Sequence, residues 1–228
     1  MLKGLRNKRS YLKNARRFKP SSQLWLQRQL SDVYVHRAKS AGYRSRAAFK
    51  LVEIQEKHKI ISPTNVVVDL GAAPGGWTQV LQEIINPNKG QIFALDILEM
   101  DPMENVHIIK GDFTTEVVFE SLMQVLRSRL SNKCGVDVVL SDMAAPTIGH
   151  KQTDHLKIMY LAELALDFAL KTLNEGGHFA AKLFMGGGDQ DFVKQLKQNF
   201  THVHHMKPES SRKESSELYV VACGRKKI

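Results

Sequence analysis

The chain has 228 residues, of which 43% are hydrophobic and 25% charged, with a formal net charge of +10. This is enough apolar material for one sizeable core, which excludes collagen-like, coiled-coil and wholly disordered proteins. No apolar run reaches the ~18 residues of a membrane span, the first twenty residues lack a secretory signal, and Cys134 and Cys223 are too few for a disulfide framework, so we expect a cytoplasmic protein.

The positive charge is concentrated at the start of the chain. Residues 1–50 contain 14 of the 33 Lys and Arg residues and a single acid, Asp32, so this segment carries +13 and the remainder −3. Such segregation favours a polyanionic partner, because each phosphate neutralised by Lys or Arg releases counterions. We expect a basic arm over residues 1–21 and a single domain over 22–228. If the arm is only a solvated tail, docking falls to Arg28, Arg37, Lys39, Arg44 and Arg46.

Helix and strand patterns alternate along the rest of the chain. Apolar periodicity predicts, in chain order, helix 44–58, strand 65–71, helix 75–86, strands 91–98 and 106–113, helix 115–130, strand 136–143, helix 154–173, strand 177–184, helix 189–199, and strands 201–208 and 216–224. This alternation predicts an α/β fold with a mainly parallel seven-stranded sheet and helices on both faces. The last two strands are too close for a helical crossover, so the last strand should run antiparallel.

A glycine-rich turn, DLGAAPGGW, follows the first predicted strand at residues 69–77. Ligands of open α/β sheets bind outside the carboxyl ends of the strands, where small residues let the backbone approach them closely. The dinucleotide motif Gly-x-Gly-x-x-Gly is excluded, because Ala73 stands where its second glycine is required. The turn suits a nucleoside with a carboxylate and no pyrophosphate, such as S-adenosylmethionine; a generic tight turn is the alternative.

Two acids follow the next two predicted strands. Asp96 ends the second strand, where a carboxylate can accept hydrogen bonds from ribose hydroxyls. Asp112 ends the third strand, where it could accept one from the adenine amino group. Asp112 could equally cap the following helix, since Thr114 and Thr115 separate it from the helical pattern. Together with the glycine-rich turn, the two acids predict an adenosine site.

The chain resembles the bacterial FtsJ/RrmJ heat-shock RNA 2′-O-ribose methyltransferases in four segments. These are residues 43–50 (YRSRAAFK), 69–77 (DLGAAPGGW), 141–144 (SDMA), and 210–212 (SSR) followed by 217–219 (ELY). The resemblance runs in order from about residue 22 to residue 226. It implies a Rossmann-like S-adenosylmethionine-dependent methyltransferase fold. It also implies methylation of a uridine ribose in large-subunit (23S-type) ribosomal RNA, on the assembled or nearly assembled large subunit.

The same resemblance implies the site residues. The Lys-Asp-Lys-Glu tetrad of the family corresponds to Lys50, Asp142, Lys182 and Glu217. Its cofactor positions correspond to Gly75, Trp77, Asp96, Asp112 and Asp142. The chain departs from the family pattern Ser-Asp-Met-Ala-Pro-Asn, because Ala144 is followed by Ala145-Pro146-Thr147 and the asparagine is missing.

The tetrad suits methylation of a hydroxyl group. A ribose 2′-hydroxyl is a poor nucleophile at neutral pH, so an enzyme must align it with the methyl donor and help to remove its proton. Lys182 would act as that base if it were neutral. Alternatively, Lys182 is a cation that stabilises the developing alkoxide while Asp142 orients the hydroxyl. The sequence leaves both roles open.

Two other functions are compatible with this fold. One is an RNA base methyltransferase, which would use either a cysteine nucleophile in a catalytic turn or an Asp/Asn-Pro-Pro-aromatic turn. The second kind of turn does not follow the fourth predicted strand, because Asp142 is followed by Met143 and Ala144. A non-catalytic ribosome-assembly factor is disfavoured because all four tetrad positions are filled. His202, His204 and His205 lie in one predicted strand with no cysteine or carboxylate at metal-ligand spacing, so we expect no metal. We also expect a monomer without membrane contact.

Overall fold

The computed structural model describes residues 23, 29–129, 135–146, 148–185 and 190–227. Seven strands form one sheet in the order β3-β2-β1-β4-β5-β7-β6. They are β1 (Val66–Leu70), β2 (Gln91–Asp96), β3 (Val106–Lys110), β4 (Val136–Ser141), β5 (Leu173–Phe184), β6 (Phe200–Met206) and β7 (Glu217–Arg225). The β1–β2, β1–β4, β2–β3 and β4–β5 pairs are parallel, and β7 runs antiparallel to both β5 and β6. The predicted fold class and the antiparallel last strand are confirmed.

The helices cover both faces of this sheet. They are α1 (Val33–Ala41), α2 (Ala48–His58), α3 (Gly76–Ile84), α4 (Glu116–Arg129), α5 (Lys151–Thr172) and α6 (Gln190–Asn199). Helix α1 was not predicted, although its end signals are present in the sequence. The Asp32 carboxylate accepts a hydrogen bond from the Tyr34 amide at 3.0 Å, and Gly42 ends the helix at a φ of 78°.

Strand β5 begins four residues earlier than the pattern predicted. Its register against β4 shifts, so that Val136 pairs with Leu173 whereas Val138 pairs with His178. The extra residues form a bulge, which the Asn174 side chain holds by donating to the Asp137 carboxylate at 3.0 Å. Polar bulge residues hide the strand pattern, which explains the difference.

Two apolar layers hold the sheet between its helices. One face packs alternate residues such as Val68, Leu70 and Phe179 against α4, α5 and α6. The other packs Val67, Leu140 and Val221 against α2 and α3. The alternation places consecutive strand residues on opposite faces, so both layers form from the same short strands. Within the described residues, no helix is both long and apolar enough to span a membrane.

Candidate active site

The turns after β1 and β4 are in direct contact. Gly71 has a φ of 78°, and a Cβ at this position would lie 2.7 Å from the backbone of Met143. The Asp142 amide donates to the Leu70 carbonyl at 3.0 Å, which extends the β1–β4 pairing into the turns. Gly71 is therefore required by close packing, and the contact brings Asp142 beside the glycine-rich turn.

A cavity of about 260 Å³ opens at the carboxyl ends of β1, β2, β3 and β4. Both predicted adenosine acids, Asp96 and Asp112, line it. Its apolar walls include Ile97, Phe113 and Leu161. The cavity also contacts Ala145 and Pro146, so the departure from the family pattern lies at its wall; Thr147 lies outside the described residues. A site with apolar walls and two acids at strand ends fits a nucleoside.

Backbone amides orient both acids. Asp96 accepts from the Ala73 amide at 2.9 Å and from the Leu98 amide at 2.7 Å. Asp112 accepts from the Thr114 hydroxyl at 2.7 Å and the Thr114 amide at 2.9 Å, and these bonds lower the pKa of Asp112. Asp112 thus organises the turn before α4 while it lines the cavity. A carboxylate has about four acceptor positions, so both acids retain capacity for ligand hydroxyl or amino groups.

Gly75 and Trp77 lie at the start of α3, outside the residues that line this cavity. Gly75 is the N-cap, with a φ of 109°, and no side chain of the described residues forms a cap hydrogen bond at this end of α3. The Trp77 indole is only 2% exposed and donates to the Ala47 carbonyl at 2.8 Å. A cofactor could contact Trp77 through its backbone amide, whereas the buried indole is bonded to Ala47.

All four tetrad residues lie in one cluster, in which Lys182 is buried and the other three are half-buried. Lys182, on β5, donates to the Asp142 carboxylate at 3.0 Å and to the Asp142 carbonyl at 2.6 Å. Lys50, on α2, pairs with Glu217, at the start of β7, at 2.8 Å. The four side chains are between 7% and 15% exposed. The structure therefore brings together residues that are distant in the sequence.

Tyr219, for which no role was predicted, joins the two ion pairs. Its hydroxyl donates to the Asp142 carboxylate at 2.5 Å and accepts from Lys50 at 3.2 Å. Tyr219 and Glu217 are two residues apart on one strand, so their side chains share a face. The two-residue spacing of Glu217 and Tyr219 within the segment ELY is the sequence signal that could have identified Tyr219 as a member of this cluster.

The lysines determine the electrostatics of the cluster. Burial alone would raise the pKa of Asp142, but Lys182, Lys50 and the Tyr219 hydrogen bond together hold it below its usual value. Burial and the nearby carboxylates raise the pKa of Tyr219 well above its usual value, so its hydroxyl keeps its proton. Asp142 is therefore ionised and Tyr219 neutral at physiological pH.

Two of the arginines proposed for docking form hydrogen bonds or an ion pair, and a third, Arg37, contacts the Phe49 ring at 4.9 Å. Arg44 donates to the carbonyls of Pro74 at 3.2 Å and Asp101 at 3.0 Å, which ties the β1 turn to the loop after β2. Arg46 pairs with Asp32 and donates to the Ser210 carbonyl. Of the remaining candidates, Arg37 and Lys39 are exposed on α1, and Arg28 and the arm over residues 1–21 lie outside the described residues.

Comparison with known proteins identifies relatives along nearly the whole chain. The model of the FtsJ-like methyltransferase family matches residues 43–225. The ribosomal RNA large subunit methyltransferase E of Paramagnetospirillum magneticum is 51% identical over 225 residues, covering 97% of this chain and 90% of the relative. The protein of that name from Acidiphilium cryptum is 53% identical, with 93% and 91% covered. A crystal structure named as a ribosomal RNA methyltransferase of Plasmodium falciparum is 32% identical, with a TM-score of 0.70, and the match covers 80% of this chain and 98% of that one.

Proposed function

The chain belongs to the FtsJ-like methyltransferase family, and we propose that it transfers a methyl group from S-adenosylmethionine to the 2′-hydroxyl of a uridine ribose in large-subunit ribosomal RNA. The observation that carries this proposal is the buried Lys182–Asp142 pair at the carboxyl edge of the sheet, beside a cavity with two acids at strand ends. Relatives named ribosomal RNA large subunit methyltransferase E support the choice of RNA.

The residues around the cavity suit each part of the cofactor. Asp96 would accept from the ribose hydroxyls and Asp112 from the adenine amino group, while Ile97, Phe113 and Leu161 would surround the base. Gly75 and the Trp77 amide offer donors at the start of α3, and Asp142 offers a carboxylate to the charged end. When bound, S-adenosylmethionine supplies a methyl group that is activated by its sulfonium.

Nζ of Lys182 would bind the 2′-hydroxyl of the substrate. Two of its hydrogens point to the carboxylate and the carbonyl of Asp142, so one tetrahedral position of Nζ is left for the substrate oxygen. If Nζ is neutral, that position is a lone pair that accepts the hydroxyl proton as the oxygen bonds to the methyl carbon. If Nζ is charged, it is an N–H that stabilises the developing alkoxide, and the hydroxyl proton leaves to solvent. Lys182→Arg separates the two roles, because arginine stays protonated.

The second ion pair holds the first in place. Lys50 pairs with Glu217, whose other carboxylate oxygen accepts from the Ser211 hydroxyl at 2.7 Å. Lys50 also donates to the Tyr219 hydroxyl, which in turn donates to Asp142. This chain of bonds fixes the Asp142 carboxylate, and through it the direction of Lys182.

The RNA partner is proposed to bind across the basic N-terminal region in the assembled or nearly assembled large subunit. Exposed Arg37 and Lys39 on α1 lie on the segment that carries the excess charge, and the arm over residues 1–21 adds further Lys and Arg. We further propose a monomer that acts in the cytoplasm without a metal ion.

The test is to map 2′-O-methylation on large-subunit RNA after incubation with purified protein and S-adenosylmethionine. Purified large subunits and naked ribosomal RNA are the two substrates, and Lys182→Ala is the control protein. We expect one methylated uridine ribose, in subunits more than in naked RNA. Methylation of a base would support the base-methyltransferase alternative, and binding without methylation would support an assembly factor. Methylation of naked RNA but not of large subunits would contradict only the proposal that the assembled subunit is the substrate.

A further inference from the structure

Asp69 is a buried carboxyl that the proposed chemistry does not use. It lies on β1, one residue before the strand ends, and is 0% exposed. One carboxyl oxygen accepts from the Thr78 hydroxyl of α3 at 2.8 Å. The other, Oδ1, has no hydrogen-bond partner within the described part of the chain. Buried polar groups are normally satisfied, so this oxygen requires an explanation.

The surroundings of Asp69 disfavour its negative charge. The charged side chains that act on Asp69 are those of Asp142 and Asp96, both acids, and the cluster beyond them adds Lys182 from β5, Lys50 from α2, and Glu217 and Tyr219 from β7. The two lysines pair with Asp142 and Glu217, whereas no salt bridge to Asp69 occurs among the described residues. Burial, and then the charges of Asp142 and Asp96, raise the pKa of Asp69 to about 7 against the opposing effect of Thr78. Asp69 is therefore partly protonated at neutral pH.

We propose that Asp69 distinguishes the positively charged cofactor from its neutral product by losing a proton to solvent when the cofactor binds. This inference rests on the proposed function. The methyl group must reach Lys182 and Asp142, so the charged end of the cofactor lies at the carboxyl edge of β1 and β4, where Asp69 is buried. A positive charge there favours the ionised carboxyl.

Methyl transfer would reverse this effect. The reaction converts the sulfonium into an uncharged thioether, so S-adenosylhomocysteine lacks the charge that stabilises ionised Asp69. The carboxyl then regains a proton from solvent. The site should consequently hold S-adenosylmethionine more tightly than S-adenosylhomocysteine above pH 7, and this preference should weaken as Asp69 becomes protonated at lower pH.

Titration calorimetry of the whole protein tests the proton directly. Each cofactor form is titrated at pH 7 in two buffers that differ in ionisation enthalpy, which yields the protons released on binding. For the wild type we expect release of about half a proton with S-adenosylmethionine and little with S-adenosylhomocysteine, because a group with a pKa near 7 is half protonated at that pH.

Asp69→Asn is the informative variant. Its amide oxygen can still accept from Thr78, while the titrating charge is removed. Asp101→Asn, in the exposed loop after β2, is the matched control. Titration of the ligand's own amino group is common to all three proteins and cancels in the comparison. We expect Asp69→Asn to lose the proton release specific to S-adenosylmethionine and Asp101→Asn to keep it.

The outcomes separate this inference from the function. Equal proton release in the wild type and Asp69→Asn, or none in a wild type that binds normally, overturns the role of Asp69 and leaves the function intact. Absence of S-adenosylmethionine binding overturns both. If Asp69→Asn does not fold, the wild type still decides, because its affinity for S-adenosylmethionine relative to S-adenosylhomocysteine should rise about fourfold from pH 5.5 to 7 when the cofactor lowers the pKa of Asp69 by about one unit. A constant ratio contradicts the proposal.

Discussion

The cavity acids and the tetrad are two neighbouring groups of charged side chains that are held in different ways. Asp96 and Asp112 are oriented by amides of their own turns, two residues away in the sequence, and by Ala73. The bonds that hold the tetrad join residues 40, 77 and 167 positions apart in the sequence. Each of these bonds joins a charged side chain to another charged side chain or to a hydroxyl group. The cavity acids keep acceptor positions for a ligand, whereas the tetrad residues mainly satisfy one another. We therefore expect substitutions of Asp96 and Asp112 to affect cofactor binding and substitutions of Lys182 to affect the reaction, whereas Asp142, which we assign to both groups, should affect both.

The largest effect is expected at Lys182. Lys182→Ala should lower the single-turnover methylation rate at least ~100-fold, about 2.7 kcal/mol of barrier, because a base or cation at the reacting oxygen is lost. The affinity for S-adenosylmethionine, measured by calorimetry, should stay within about threefold. A large loss of affinity would show that Lys182 also holds the cofactor and would contradict this separation of roles. Retained activity in Lys182→Arg would exclude the general-base role.

For Asp96 we expect the reverse of the Lys182 result, a loss of cofactor affinity with little change in the methylation rate. Asp96→Ala should weaken S-adenosylmethionine binding by about 1–3 kcal/mol, because a carboxylate that accepts from ribose hydroxyls is removed. At saturating cofactor the methylation rate should be nearly unchanged. Asp101→Ala, an exposed acid in the loop after β2, serves as the control and should bind normally. An equal loss in both variants would point to general electrostatics instead of a specific contact.

Tyr219→Phe tests whether the link between the ion pairs contributes to catalysis. The change removes one hydroxyl and keeps the buried ring, so we expect a roughly three- to tenfold lower methylation rate and about 1 kcal/mol lower stability. Tyr43→Phe is a matched control, since the Tyr43 hydroxyl also donates to a carboxylate, that of Glu83 at 2.8 Å, outside the cluster. Equal rates in the two variants would confine Tyr219 to a structural role.

Asp69 and Asp142 should give the cofactor-free protein opposite dependences of stability on pH. The pKa of Asp69 is raised from 3.8 to about 7, so its contribution to stability is present below about pH 4 and is lost as the pH rises through 7. The pKa of Asp142 is lowered, so its contribution is present at neutral pH and is lost under acid conditions. The melting temperature of Asp69→Asn minus that of the wild type should increase by at least about 3 °C when the pH is raised from about 5 to about 8. A constant difference would place the Asp69 pKa near its usual value.

The smallest effect on chemistry is expected from the N-terminal arm. Removal of residues 1–20 should flatten the dependence of RNA affinity on salt concentration, because fewer phosphates are neutralised. Binding of S-adenosylmethionine should not change. If the salt dependence stays the same, the arm is a solvated tail, and exposed residues such as Arg37 and Lys39 become the main candidates for docking.

Much of the fold and the cavity could be predicted from the sequence because their signals are local. Alternating apolar patterns specified all seven strands and their order along the chain, and the acids at strand ends face a ligand once the strands are parallel. Helix α1 was missed because its charged, exposed residues resemble a disordered basic segment, although Asp32 and Gly42 mark its ends. The start of β5 was missed because a bulge interrupts the period of two.

The tetrad residues were inferred from the family resemblance, and nothing in their local pattern indicated how they meet. Only the tertiary structure placed Tyr219 between the two ion pairs, bonded the Trp77 indole to Ala47 and left one oxygen of Asp69 without a partner among the described residues. It also assigned Arg44 and Arg46 to internal contacts. The physical reason is that hydrogen bonding and desolvation of a buried charge depend on atoms from several elements, whereas strand and turn preferences depend on neighbours along the chain.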